Sequence, residues 1–241
     1  LTGHRVFDAM LGALAQVVPH RIPAAGEGGN TVVCLSGKSD EGKPYIIVDM
    51  ICGAWGGRPA SDGIEAITNA SQNLSNTPVE TLEAQHPVRV EAYELVEDSC
   101  GAGQYRGGLG IRRSYRVLVP DAQLQLRADR MKFSPYGLAG GMPASPARNV
   151  LEHGDALTEL PSKVGMTIAR NDVVTHIQPG GGGFGDPMDR DWDRIREDVW
   201  NHKLTAQYVL QHYKVVVDPH TGAVDQAASE ALRRNALAQA A

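Results

Sequence analysis

The chain has 241 residues, 42% of them apolar and 21% charged, and carries a formal net charge of −5. That length admits one large domain or two small ones with a substantial core, and the ordinary globular composition excludes a disordered or fibrous chain. The acid excess, the lack of a dense Lys/Arg run and the lack of any apolar run near the roughly 20 residues that span a bilayer exclude nucleic acid and membrane as expected partners.

Val6, Phe7, Met10, Leu11, Leu14 and Val18 recur at helical spacing and predict a helix over residues 4–18 with one buried face, ended by Pro19. A glycine-rich loop at 26–30 leads into two β-type runs, 31–35 and 44–50, whose turn-forming connection at 36–42 predicts a hairpin. Further strands are predicted at 88–95, 111–119, 123–129, 149–151 and 173–178, with apolar residues alternating through Tyr115, Val117 and Val119 and through Leu124 and Leu126. Beyond Gly183 the pattern turns helical, at 192–201 and at 205–213 with Thr205 as N-cap. A short strand at 215–217 and an Ala-rich helix at 226–240 capped by Asp225 follow. No repeat or linker divides the chain. The expectation is a single α+β domain over 1–241, a largely antiparallel or mixed sheet with flanking helices and a helical tail from about residue 190.

Cys34, Cys52 and Cys100 are odd in number and lack a C-x-x-C pair, which fits three reduced thiols in a cytoplasmic protein. Leu1 stands where a native start would have Met and opens directly into the amphipathic segment, so the chain reads as a processed or truncated piece.

Motifs for familiar chemistry are missing. There is no G-x-x-x-x-G-K-[ST] loop, no H-E-x-x-H and no G-x-S-x-G elbow. The glycines at 101, 103, 107, 108 and 110 imitate a dinucleotide fingerprint, but a strand follows them where a helix N-terminus would have to hold the pyrophosphate. They read as a turn that presents Arg106. Asp189, Asp191 and Asp193 begin like a calcium loop, which fails at Arg194 and Trp200, and they read instead as helix-capping acids. The eight histidines are scattered, and no metal is assigned. Gly180, Gly181, Gly182 and Gly183 predict a close backbone approach, to another strand by default and to a ligand or subunit otherwise.

Segments 8–14, 53–63, 73–80, 87–95, 101–115, 136–141 and 179–187, in that order, resemble the hydantoinase B/oxoprolinase family over almost the whole chain. Each motif alone is weak, and the ordered set is specific. The resemblance implies an ATP-dependent enzyme in which a hydantoinase A-like ATPase subunit, similar to sugar kinases and actin, phosphorylates a lactam or imide. This type of subunit then completes hydrolysis. Subunits of the family are about twice as long, with these motifs in their C-terminal half. The implied partners are therefore the ATPase subunit, the N-terminal half of the same subunit and a small cyclic amide such as hydantoin, 5-oxoproline or another lactam. ATP and Mg belong to the ATPase subunit, any metal to the N-terminal half, and no cofactor to this chain.

One departure bears on substrate. Hydantoin-type members often carry a His shortly before the Asn-Thr-Pro segment, where this chain has Ala70, which favours an acetophenone carboxylase-like or other substrate. The alternatives are thus a related ATP-dependent ketone carboxylase and a non-catalytic assembly module. By resemblance the substrate-site candidates are Asn73, Asn76, Arg106, Asp129 and Arg130, and no catalytic residue is assigned. Each has a structural alternative: Asn76-Thr77-Pro78 is a good turn, and Asp129–Arg130 would be a strand-end ion pair worth about 0–1 kcal/mol if exposed.

Overall fold

The structure, a computed structural model, describes residues 2–68 and 70–240. Leu1, on which the reading of a processed start rests, lies outside the described residues. Helix α1 (Thr2–Ala15) leads to the hairpin β1 (Thr31–Lys38) and β2 (Pro44–Ile51). After a long loop come α2 (Val79–Gln85), β3 (Val88–Val96), β4 (Gly110–Val117), β5 (Asp121–Arg127), β6 (Arg148–His153), β7 (Ala156–Glu159), β8 (Lys163–Ala169) and β9 (Val173–Ile177). The chain ends in α3 (Trp192–Trp200), α4 (Ala206–Tyr213), the two-residue strands β10 (Val216–Val217) and β11 (Val224–Asp225), and α5 (Gln226–Ala240).

Where one sheet was expected, the strands form two main sheets, ordered β2-β1-β5-β8 and β3-β4-β9-β6-β7, with every pairing antiparallel. Period-two alternation dictates how they meet. In β5, Ala122, Leu124 and Leu126 are buried while Asp121, Gln123, Gln125 and Arg127 are exposed. They join Val33 and Leu35 of β1 and Ile47 and Ile51 of β2 in one core with Tyr115 and Val117 of β4, Leu151 of β6 and Val174 of β9. The two sheets therefore pack face to face, and burying each Leu or Ile there is worth about 1.5–3 kcal/mol.

A second core lies at the end of this sandwich. Ile195 and Val199 of α3 and Val209 and Tyr213 of α4 pack on Cys100, Ala102 and Leu109. The helices begin where their caps allow: Asp191 accepts the Asp193 and Arg194 N–H groups, and Thr205 Oγ1 accepts the Tyr208 N–H at 3.0 Å.

Four elements depart from the sequence expectations. Strands β7 and β8 and helix α2 were not predicted. All four β7 side chains are exposed, so its sequence carries no burial signal, and α2 is a seven-residue helix that buries only Leu82. Helix α1 lacks the single buried face that its spacing predicts. Ala15 is its one buried residue, while Val6, Met10 and Leu14 are 46–57% exposed. Its apolar residues form two stripes, and only the one carrying Phe7 and Leu11 turns toward the protein.

Candidate functional site

Gly180–Gly183 run as an extended thread through four loops. Gly181 N–H donates to the Gly108 carbonyl (2.8 Å) while its own carbonyl accepts from Gly101 N–H (2.8 Å). Gly182 bonds in the same way to Ala25 and Gly57, and Gly183 to Met142 and Leu138. A Cβ on any of the four would overlap a carbonyl oxygen, of Ser99, Trp55, Tyr136 and Ala102 in turn. The close approach is therefore to the chain's own backbone, and it gathers the loops that carry Trp55, Arg106 and Tyr136 into one body.

Arg106 is 3% exposed, and its guanidinium is held through Nε and Nη1. It donates to Asp198 of α3 (2.9 Å), pairs with Glu65 (2.9 Å) and donates to the Gly107 carbonyl (2.9 Å). Burial acts against its charge, but Asp198, Glu65 and Asp62 outweigh that and raise its pKa. Arg106 staples α3 to the glycine loops; it does not share a cavity with the other candidates.

Asn73 and Asn76 lie elsewhere, on the segment that enters α2. Asn73 is exposed. Asn76 donates to the Tyr93 hydroxyl on β3, and the Tyr93 ring stacks under the Arg113 guanidinium at 4.3 Å. Arg113 is fully buried, pairs with Asp49 (2.8 Å), and shares that carboxylate with the Tyr115 hydroxyl (2.6 Å). This cluster runs from the surface at Tyr93 to the buried Arg113 and borders neither of the two depressions that meet beside Arg130.

Asp129 and Arg130 do reach a cavity. The loop at 26–30 passes between α1 and the β5 end, and there Arg130 pairs with Asp8 (2.5 Å) and Arg5 with Asp129. Arg130 holds φ +58°, an uncommon conformation for a residue other than Gly, Asn or Asp. Two depressions meet at this point and share Asp8, Glu27 and Gly28 as a common wall. One is a slot of about 50 Å³ lined by Phe7, Leu11, Trp55, Ala70 and Tyr136; the other is an open hollow of about 390 Å³ lined by Arg5, Asp129, Arg130 and Phe133. Ala70, where hydantoin-type members would place His, is thus on the slot wall. Helix α1 closes the slot because Gly12 has no side chain to displace the Tyr136 hydroxyl.

The common wall carries the residue that sequence reasoning missed. Glu27 is 2% exposed, makes no ion pair among the described residues, and accepts an N–H from Gln178. Gln178 also donates to the Ile51 carbonyl (3.2 Å) and accepts from Thr31 (2.9 Å) and faces His176, whose other ring nitrogen lies 2.7 Å from Asn149 Oδ1. Burial pushes the Glu27 carboxyl well above the ordinary glutamate range and pulls His176 down to about 4. Asp8 is also raised by burial, against the pull of Arg130. The available signal was a lone acid, Glu27, inside the glycine loop 26–29, where no turn requires one.

Burial pushes the Cys52 and Cys100 thiols up to about 11 and about 12, which leaves them poor nucleophiles. Among the described residues, no group of three or more His, Cys, Asp and Glu side chains is arranged to hold a metal ion, and no helix is long and apolar enough to cross a membrane. Chemically, the site offers buried polar groups beside an aromatic slot, with two carboxylate-paired guanidiniums at its rim.

Comparison with known proteins gives this geometry a context. Residues 1–187 match the hydantoinase B/oxoprolinase family. A "Putative D-/L-hydantoinase" subunit of Pseudomonas sp. (strain NS671) is 32% identical over 219 residues, 90% of this chain and 36% of that protein. The crystal structure of the ATP-dependent caprolactamase from Pseudomonas jessenii superposes with a TM-score of 0.81 at 27% identity, over 92% of this chain and 40% of that one. A nucleotide-free acetone carboxylase shares the fold, with a TM-score of 0.79 at 18% identity over 90% of this chain and 34% of that one. The chain thus spans about 34–40% of the length of these relatives. With the family motifs in order and the fold shared, the chain belongs to the hydantoinase B/oxoprolinase family.

Proposed function

We propose that this chain is part of a subunit of an ATP-dependent enzyme that opens small cyclic amides, and that the slot between α1 and the glycine loops receives the ring. The observation that carries the reading is the buried Glu27, without an ion pair among the described residues, on the wall of a slot lined by Phe7, Trp55 and Tyr136, in a chain whose relatives include an ATP-dependent caprolactamase. Cyclic amides are neutral and poor electrophiles. Transfer of phosphate to the amide oxygen by a hydantoinase A-like partner would create a leaving group that water displaces, and fixed polar groups would stabilise the developing charge. ATP and Mg belong to that partner in this account, and any metal to the remaining part of the subunit. Ala70 in the slot leaves a small apolar wall, which suits a lactam better than the more polar hydantoin ring. The three free cysteines suit a reducing, cytoplasmic setting.

The test is ring opening of a lactam and hydantoin panel by the complete complex, with and without ATP. ATP-dependent opening supports the reading. Bicarbonate-dependent consumption of a ketone, or a complex that assembles and opens nothing, overturns it.

A further inference from the structure

We propose that the open hollow beside the slot, with a second one that adjoins it along β5 and β8, binds the phosphoryl group of an activated ring through Arg127, Lys132 and Lys163. The inference rests on the reading of the slot as the ring site and assigns the charged group that the ring would carry.

Three observations lead there. The first is a like-charge pair. Arg127, the last residue of β5, and Lys163, the first of β8, are cross-strand partners, and both are exposed. Side chains opposed in this way share one face with Cβ atoms about 4.5–5.5 Å apart, and like charges there repel. An anion between them would turn the repulsion into attraction.

The second is a local surplus of positive charge. Arg5, Lys132 and Lys163 line the hollow of about 390 Å³ beside the slot. The adjoining hollow, about 820 Å³, shares Arg5 and Lys163 with it and adds Arg127. The acids on these walls are already engaged: Asp129 holds Arg5, Asp8 holds Arg130, and Glu27 is 2% exposed and accepts from Gln178. Lys132 stands over the exposed Phe133 ring at 5.4 Å. Arg127, Lys132 and Lys163 are thus left without a carboxylate among the described residues, in a chain whose net charge is −5.

The third is position. The hollow beside the slot shares Asp8, Glu27 and Gly28 with it, and Gly28 raises no side chain between the two. A ring in the slot with a phosphoryl group on its amide oxygen would set that group on the hollow side. Across the adjoining hollow, Gly165 opposes Gln125 and leaves the space open, since a Cβ there would meet nothing within 4 Å. A phosphoryl group carries close to two negative charges and three acceptor oxygens, which suits several separated cations better than a carboxylate does.

The test is calorimetric titration of the complete subunit containing this chain with phenyl phosphate, inorganic phosphate and benzoate at one ionic strength. Phenyl phosphate is expected to bind saturably and about 10-fold or more tighter than either of the others, because it alone offers ring and phosphoryl group together. Lys132→Gln and Lys163→Gln should each weaken it about 3- to 10-fold. Lys43→Gln, at an exposed lysine that pairs with Glu41 between β1 and β2, should leave it unchanged. The three ligands are compared on the unsubstituted subunit, so that result does not rest on a variant folding. Absence of saturable binding, equal binding of phenyl phosphate and either other ligand, or Lys132 and Lys163 variants that bind like wild type overturns the assignment. If that happens while the complete complex opens lactams, the assignment alone falls. If phenyl phosphate binds as expected and the complex opens no ring, the hollow stands as a phosphoryl site and the functional reading falls.

Discussion

Arg190 and Asp62 meet in a two-point guanidinium–carboxylate pair at 2.8 and 2.9 Å, with the Arg190 side chain 1% exposed. Arg190 follows the glycine thread and Asp62 belongs to the loop that the thread crosses, so the pair locks the two together. Arg190 Nη2 also donates to Asp198 (2.7 Å), which in turn holds Arg106.

Asp198→Ala removes the one carboxylate that both buried guanidiniums share. Taking away one side of a buried pair costs about 3–5 kcal/mol, because the remaining charge stays desolvated. The variant is expected to lose that much in chemical denaturation, while replacement of exposed Glu230, which pairs with Arg234 at the surface, costs under about 1 kcal/mol. Equal losses would contradict the network's role.

Acid should loosen the same lock. Burial pushes Asp62 up, but Arg190, with Arg106 and Arg194, outweighs it and holds the carboxyl below the ordinary aspartate range. A depressed carboxylate stabilises the fold above its unfolded pKa, and that contribution disappears as pH falls through the folded value. Wild-type stability is therefore expected to drop below about pH 4, and an Asp62→Asn variant to show a shallower acid limb in melting temperature.

The glycine thread has no tolerance for a side chain. Gly181→Ala places a methyl group on the Trp55 carbonyl oxygen and is expected to destabilise by about 1–3 kcal/mol or more. Gly165→Ala on β8 meets nothing within 4 Å and should stay within about 0.5 kcal/mol of wild type. Denaturation midpoints of the two variants check the contrast.

Glu27 has the opposite sign to Asp62. Its folded pKa is raised, so the folded state holds a proton that the unfolded chain releases above the ordinary glutamate value of 4.5, and stability is lost as pH rises through that range. Glu27→Gln removes the loss. The variant should gain stability relative to wild type as pH rises above about 4.5, and a constant difference there would show that Glu27 is ionised in the fold.

Much of the fold was legible because alternation is local. Leu124 and Leu126 declared the inner face of β5, and Thr205 and Asp191 declared the starts of α4 and α3. The division into two sheets was not, since it depends on β1 pairing with β5 across more than eighty residues, which no local pattern encodes. In the same way, α1 showed apolar residues at helical spacing without showing which of its two stripes would be covered.

The candidate site was legible only in part. Asp129 and Arg130 reach the cavity, whereas Arg106, in a glycine-rich turn that resembles a ligand loop, is consumed by Asp198 and Glu65. Arginine in such a turn serves a distant carboxylate as readily as a ligand, and the carboxylate lies 92 residues away in sequence. Glu27 and Gln178, 151 residues apart, meet only once the thread is in place.

The central claim is tested most directly by purifying the complete subunit containing this chain with its ATPase partner and measuring ADP release and ring opening together on a five-membered and a seven-membered lactam. The account predicts that rings open only with ATP and both subunits present, in step with ADP release. Ring opening that needs no ATP, or a well-assembled complex that hydrolyses ATP and opens no ring, would contradict it.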